Sequence, residues 1–197
     1  VKWYQKAADQ GVARAQSNLG VMYANGLEVE QDFKEALKWF QKAADQGVAR
    51  AQSNLGGMYA KGAGVEQDFK EAFKWYQKAA GQGHAGAQNN LGVMYALGQG
   101  VEQDFKEALK WYQKAAGQGF VVANYKLRVM YEKGLGVERD YVTAFAWASI
   151  AATNGDTISP RFKSEFLEPK MTSAQIVEAK ALSKEMVKKN PKLLNKK

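Results

Sequence analysis

The 197-residue chain has no cysteine, three prolines and one histidine. Without cysteine there is no disulfide, no thiolate metal site and no cysteine nucleophile, although the redox compartment stays open. With His84 alone, no histidine pair, histidine metal cluster or serine–histidine arrangement can form, and its place at the start of a helix reads as structural filler. No stretch approaches the roughly 18 apolar residues of a membrane span, and the opening residues lack the basic, apolar and small-residue order of a signal peptide. The formal charge of +8 is unevenly spread: residues 1–155 hold 18 Lys+Arg against 15 Asp+Glu, whereas residues 156–197 hold 10 against 5. The basic excess therefore sits in a tail ending KKNPKLLNKK, read as a solvated helix end, with an acidic partner or membrane surface as the alternative.

What the chain does have is a period. Its five tryptophans, Trp3, Trp39, Trp75, Trp111 and Trp147, are spaced by 36 residues, and Gly11, Gly47, Gly83, Gly119 and Gly155 keep the same step. Segments 12–47 and 48–83 share 29 of 36 residues, 48–83 and 84–119 share 29, and 84–119 and 120–155 share 15. Three near copies are thus followed by a divergent fourth.

Within one copy, Ala15, Leu19, Gly20 and Tyr23 form a helical stripe, the first helix of the pair. After the loop GLEVEQ, Asp32 with Glu35 three residues later predicts a capping box opening a second helix, whose apolar face is Phe33, Ala36, Leu37, Phe40, Ala43 and Ala44. Gly47 closes that helix with a positive φ. Two such helices cannot enclose a core alone, so each pair must be covered by the next, which gives an all-α solenoid of 36-residue helix-turn-helix repeats. The tryptophans are expected in its core. The domain reading is a half repeat at 1–11, repeats at 12–47, 48–83 and 84–119, a divergent repeat at 120–155, and capping helices with a basic tail at 156–197. Thr172 and Gln175 predict a second capping box in that cap. The chain opens inside a repeat, so a longer array is expected, and the open half repeat offers a face for a homodimer.

The pattern Ala51, Leu55, Gly56, Tyr59, Gly62, Gly64, Val65, Asp68, Ala72, Trp75, Ala79, Ala80 and Gly83 resembles that of the bacterial Sel1-like repeat family, relatives of tetratricopeptide repeats. The resemblance spans residues 1–155, and the segment from Thr172 resembles endings that close such arrays. It implies a right-handed superhelix that binds a protein or peptide on its concave face, a non-enzymatic adaptor without metal or cofactor, and a soluble periplasmic or secreted location, with a cytoplasmic one as the alternative. The disulfide-bearing branch does not fit a chain without cysteine. Two departures stand out: Glu28 replaces the loop glycine of Gly64, Gly100 and Gly136, and Arg128 replaces the packing glycine, which should loosen or reshape that contact.

With the first helices lining the concave side, the groove candidates are the rungs Asn18, Asn54, Asn90 and Lys126; Ser53, Asn89 and Tyr125; Arg14 and Arg50; and Lys61 and Lys133. Repeated primary amides can pair with a peptide backbone, and the cations favour acidic side chains or a terminal carboxylate. The alternative is that near copies repeat every solvated residue. Lysines 34, 38 and 42 and their repeats mark a solvated outer face rather than a nucleic-acid surface, since carboxylates dilute them and no aromatic interleaves on the exposed side. A structural spacer or oligomerisation array, or an inhibitor of a partner enzyme, are the other readings.

Overall fold

The computed structural model describes residues 2–155 and 158–194. Its order is α1 (Lys2–Asp9), α2 (Ala13–Asn25), α3 (Phe33–Asp45), α4 (Ala49–Lys61), α5 (Phe69–Gly81), α6 (Ala85–Leu97), α7 (Phe105–Gly117), α8 (Val121–Lys133), α9 (Tyr141–Thr153), α10 (Ile158–Phe162) and α11 (Ser173–Lys189). A π turn at Lys163–Leu167 and a 3-10 turn at Glu168–Lys170 link the last two, and a 3-10 turn at Pro191–Leu193 follows. No strand occurs among the described residues, so the protein has the expected all-α helix-turn-helix solenoid fold. The chain forms two compact units: residues 1–94 with 98–102, and residues 95–97 with 103–197. Asp156 and the final residues 195–197 of the basic tail lie outside the described residues.

Aspartate starts the second helix of each repeat. Asp32 accepts from the backbone N–H groups of Lys34 and Glu35 at 2.8 and 3.0 Å, and Asp68 and Asp104 repeat the geometry. The expected reciprocal half is absent. Glu35 pairs with Lys38 at 3.0 Å, because the N–H of Asp32 is already taken by the carbonyl of Tyr23. The complete capping box is the other one, between Thr172 and Gln175.

In the first unit, Leu19 and Ala15 pack with Ala8 and Trp39, and Leu55, Ala51 and Met58 pack with Phe40 and Trp75. Close approach explains the helix glycines: a Cβ on Gly20 would stand 2.7 Å from the Phe40 ring, and one on Gly56 2.9 Å from Tyr76. Trp39 is 3% exposed, but Trp3 is 85% exposed, which corrects the expectation that every tryptophan lies in the core. Trp39 is enclosed by Ala8, Ala15 and Leu19 of the preceding helices, and nothing among the described residues encloses Trp3 in that way.

Lys42, Lys78 and Lys114 lie over the rings of Trp39, Trp75 and Trp111 at 4.4, 3.9 and 4.1 Å, while Lys38, Lys74 and Lys110 pair with glutamates. Two of the three outer lysines of each of these repeats are therefore engaged within their own helices, and the tryptophan rings lie beneath Lys42, Lys78 and Lys114.

In the second unit, Ala144, Phe145 and Ala148 pack with Leu167 and Ala179. Arg128 does not loosen its contact. Its guanidinium is buried, pairs with Glu132 at 2.7 Å and lies 3.8 Å from the Phe162 ring centre. The position that carries Phe40, Tyr76 and Tyr112 carries Ala148 in this repeat, so a large side chain on one helix answers a small one on the other.

Candidate functional site

A stripe of α4 sets the geometry. Arg50, Asn54, Gly57 and Lys61 recur at steps of four, three and four, so they follow one line along the helix. They line a cavity of about 660 Å³ together with Ser53, Met58, Phe40, Tyr76 and Asn90. Val21, Ala24 and Asn25 of α2 and Phe33 complete one wall. Five of the residues singled out from sequence thus meet here: Arg50, Ser53, Asn54, Lys61 and Asn90.

The amides of this row are not equivalent. Asn90 shares a hydrogen bond with the Tyr76 hydroxyl and accepts from Asn89 Nδ2 at 3.4 Å. Burial pushes the Tyr76 phenol up, and although the Asn90 bond opposes this it still lies at about 12. Asn54 stands at the matching position beside Phe40, which has no hydroxyl, and its amide has no hydrogen-bond partner among the described residues. Arg50 and Lys61 likewise have no ion pair among the described residues, and no carboxylate lines the cavity.

The other candidates lie elsewhere. Asn18 lines a separate cavity of about 420 Å³ with Tyr4, Val21, Met22, Leu27 and Glu28. Arg14 is exposed on the first turn of α2, and Asn89 is buried, so neither lines the main cavity. In the second unit, Tyr125 and Lys133 are exposed and Lys126 is half-buried on α8, with the Arg128 guanidinium 4.5 Å from the Tyr125 ring centre. His84 is more than filler. Its Nδ1 accepts from the N–H of Ala87 at 3.1 Å and caps α6, whereas Val48 and Phe120 at the matching positions supply no side-chain cap. Burial, and then the Arg50 charge, hold its pKa below the ordinary value.

Sequence reasoning missed a buried glutamine ladder. Gln16, Gln52 and Gln88 donate to the carbonyls of Ala8, Ala44 and Ala80 at 3.0, 3.1 and 3.3 Å. Gln46 and Gln82 donate in turn to Oε1 of Gln16 and Gln52, both at 2.7 Å. The signal was present: a polar residue repeats at an inward position of each first helix. The ladder fails at Asn124, which is one methylene shorter, fully buried and unpaired at both amide atoms. Asn154, at the position of Gln46, instead donates to the carbonyl of Leu193 at 2.8 Å, and Asn190 donates to that of Gly117 at 2.9 Å. The segment after α11 thereby bonds to the ends of both α7 and α9 in the second unit.

Among the described residues, no His, Asp or Glu group could hold a metal ion, and no helix is long and apolar enough to cross a membrane. The Sel1 repeat model matches residues 1–12, 13–48, 49–84, 85–120 and 121–156. The chain is similar to the structure of c5321, a protective antigen of uropathogenic Escherichia coli strains displaying an SLR fold, with 39% identity and a TM-score of 0.90 over 98% of this chain and 42% of that one. It is also similar to a Sel1 repeat protein from Oxalobacter formigenes, with 40% identity and a TM-score of 0.72 over 78% of this chain and 63% of that one. Less similar is the immunity protein Pa5087 from Pseudomonas aeruginosa, with 25% identity and a TM-score of 0.55 over 92% of this chain and 71% of that one. The chain thus spans less than two thirds of the first two relatives, and no curated protein matches it. Sel1 repeats are generally protein-interaction modules, on a scaffold that is typically non-catalytic. The repeat grammar, the helix order and these likenesses agree, and the chain belongs to the Sel1 repeat family.

Proposed function

We propose that the chain is a non-enzymatic adaptor that holds a peptide or a partner protein on the first-helix face of its first unit, centred on α4. The observation that carries this is the set of unpaired groups in one cavity: the Asn54 amide, the Arg50 guanidinium and the Lys61 ammonium. A primary amide with both functions free matches the donor and acceptor of an extended backbone. The volume lies within the range of about 300–1,000 Å³ typical of ligand sites. Affinity capture from cell lysate, with the chain beside its Asn54→Ala variant, tests the reading. A partner held by the parent and lost by the variant, at unchanged helix content, supports it; equal retention overturns it.

A second reading, an inhibitor of a partner enzyme, draws on the likeness to the immunity protein. Here the captured partner would be an enzyme, and adding the chain would lower its activity.

A further inference from the structure

The floor of the cavity differs from the matching place in the other repeats at Gly57. The position of Gly57 carries valine in every other repeat, at Val21, Val93 and Val129. A Cβ on Gly57 would stand 3.4 Å from the Tyr76 hydroxyl, so a valine side chain would occupy the floor of the cavity. The missing side chain leaves a recess over the Tyr76 hydroxyl, in a cavity whose apolar lining includes Met58, Phe40 and Phe33, with Arg50 before it on the helix and Lys61 after it.

Resting on the groove reading above, we propose that the recess at Gly57 selects an acidic peptide: one large apolar side chain enters the recess, and carboxylates on either side meet Arg50 and Lys61. Charge complementarity argues for this occupant, because two cations without ion pairs and no carboxylate line the cavity. Spacing sets its length. Eleven residues of helix separate Arg50 from Lys61, about 16 Å at 1.5 Å per residue. An extended strand covers that span in about five residues at 3.3 Å each. Asn54, one turn after Arg50, lies along the path and can take the peptide backbone between the first carboxylate and the apolar anchor. Gly57 is thus the specificity-determining position, and the valines at the other repeats deny them the same anchor.

The test is fluorescence polarisation with labelled, end-blocked hexapeptides Glu-Ser-Ser-Leu-Ser-Glu and Glu-Ser-Ser-Phe-Ser-Glu, whose apolar residue falls opposite Gly57, beside versions with lysine for glutamate and with serine for the apolar residue. At least one acidic apolar peptide is expected to bind, and both controls are expected to bind weaker by about tenfold or more. Gly57→Val should cause a comparable loss, and so should Arg50→Ala with Lys61→Ala. The valine variant should keep its fold, since valine and tyrosine already occupy the matching positions 93 and 112, and valine is the better helix former. Equal binding by Gly57→Val, equal binding of the lysine peptides, or no binding by any acidic peptide overturns the inference. The two readings fail separately. A partner whose capture depends on Asn54 but not on Gly57 leaves the adaptor function standing and removes only the acidic peptide.

Discussion

Gln82 donates its side-chain N–H to Oε1 of Gln52 at 2.7 Å, while Gln52 donates its own to the carbonyl of Ala44 at 3.1 Å, so one buried amide ties two successive second helices together. Cutting it leaves buried polar groups without partners. Gln52→Ala is expected to cost about 2 kcal/mol in urea unfolding. Asn124 is the same position with the bond already missing. Asn124→Gln restores the methylene needed to reach the carbonyl of Ala116 and should raise stability by about 1 kcal/mol. No change would mean that the fourth repeat has closed around the shorter side chain.

The loop glycines make an opposite pair of predictions. Gly100 has φ +70°, and a Cβ there would lie against the backbone of Phe69, too close to be accommodated without a backbone shift. Gly100→Ala should therefore cost about 3 kcal/mol, from left-handed strain and a backbone clash together. Glu28 holds the same conformation, with φ 59°. The loop is strained there rather than rearranged. Glu28→Gly should raise the unfolding midpoint by the equivalent of about 1 kcal/mol.

Arg128 and Ala148 should be energetically coupled. Arg128→Gly alone removes a buried cation, strands Glu132 and opens a void, for an expected loss of about 3 kcal/mol. Ala148→Tyr alone overpacks a fully buried site and should cost about 1–3 kcal/mol. Together they rebuild the glycine–aromatic pair of Gly56 and Tyr76, so the double variant should lose less than the sum of the two. A double-mutant cycle reads the coupling, and strict additivity would show that the two side chains do not share the space.

How much of this was legible in the sequence depends on whether a residue acts through its own repeat or through its neighbours. The period, the aspartate caps and the inward leucines follow from spacing alone, and they appear as read. Glu35 was misread because the loop between the helices, and not the cap itself, decides where the N–H of Asp32 goes. Trp3 was misread because burial belongs to the helices around a residue: the same tryptophan is 3% exposed at position 39 and 85% exposed at position 3. The repeated asparagines were legible as a row, yet Asn54 and Asn90 differ because the residue at the facing position changes from Phe40 to Tyr76. Gly57 stood in plain view as one of the few differences between near copies, but its meaning required knowing that the Tyr76 hydroxyl lies beneath it.

His84 ties stability to pH through its cap on α6. Its Nδ1 can accept from the N–H of Ala87 only while unprotonated at that atom, and both burial and Arg50 oppose the charged form. The folded pKa is thus below the unfolded one. The unfolded chain takes up the proton first as pH falls, so this contribution to stability is complete above about pH 6.5 and is lost on acidification through the folded value. The melting temperature should accordingly fall between about pH 7.5 and pH 5, beyond any change shown by His84→Asn, which keeps a capping side chain and does not titrate. Arg50→Ala should shift the histidine titration, followed by NMR, toward its ordinary value. An acidic peptide seated against Arg50 should move it in the same direction, because a carboxylate there offsets the cation that His84 senses. A histidine titration unmoved by Arg50→Ala would show that burial alone sets its pKa.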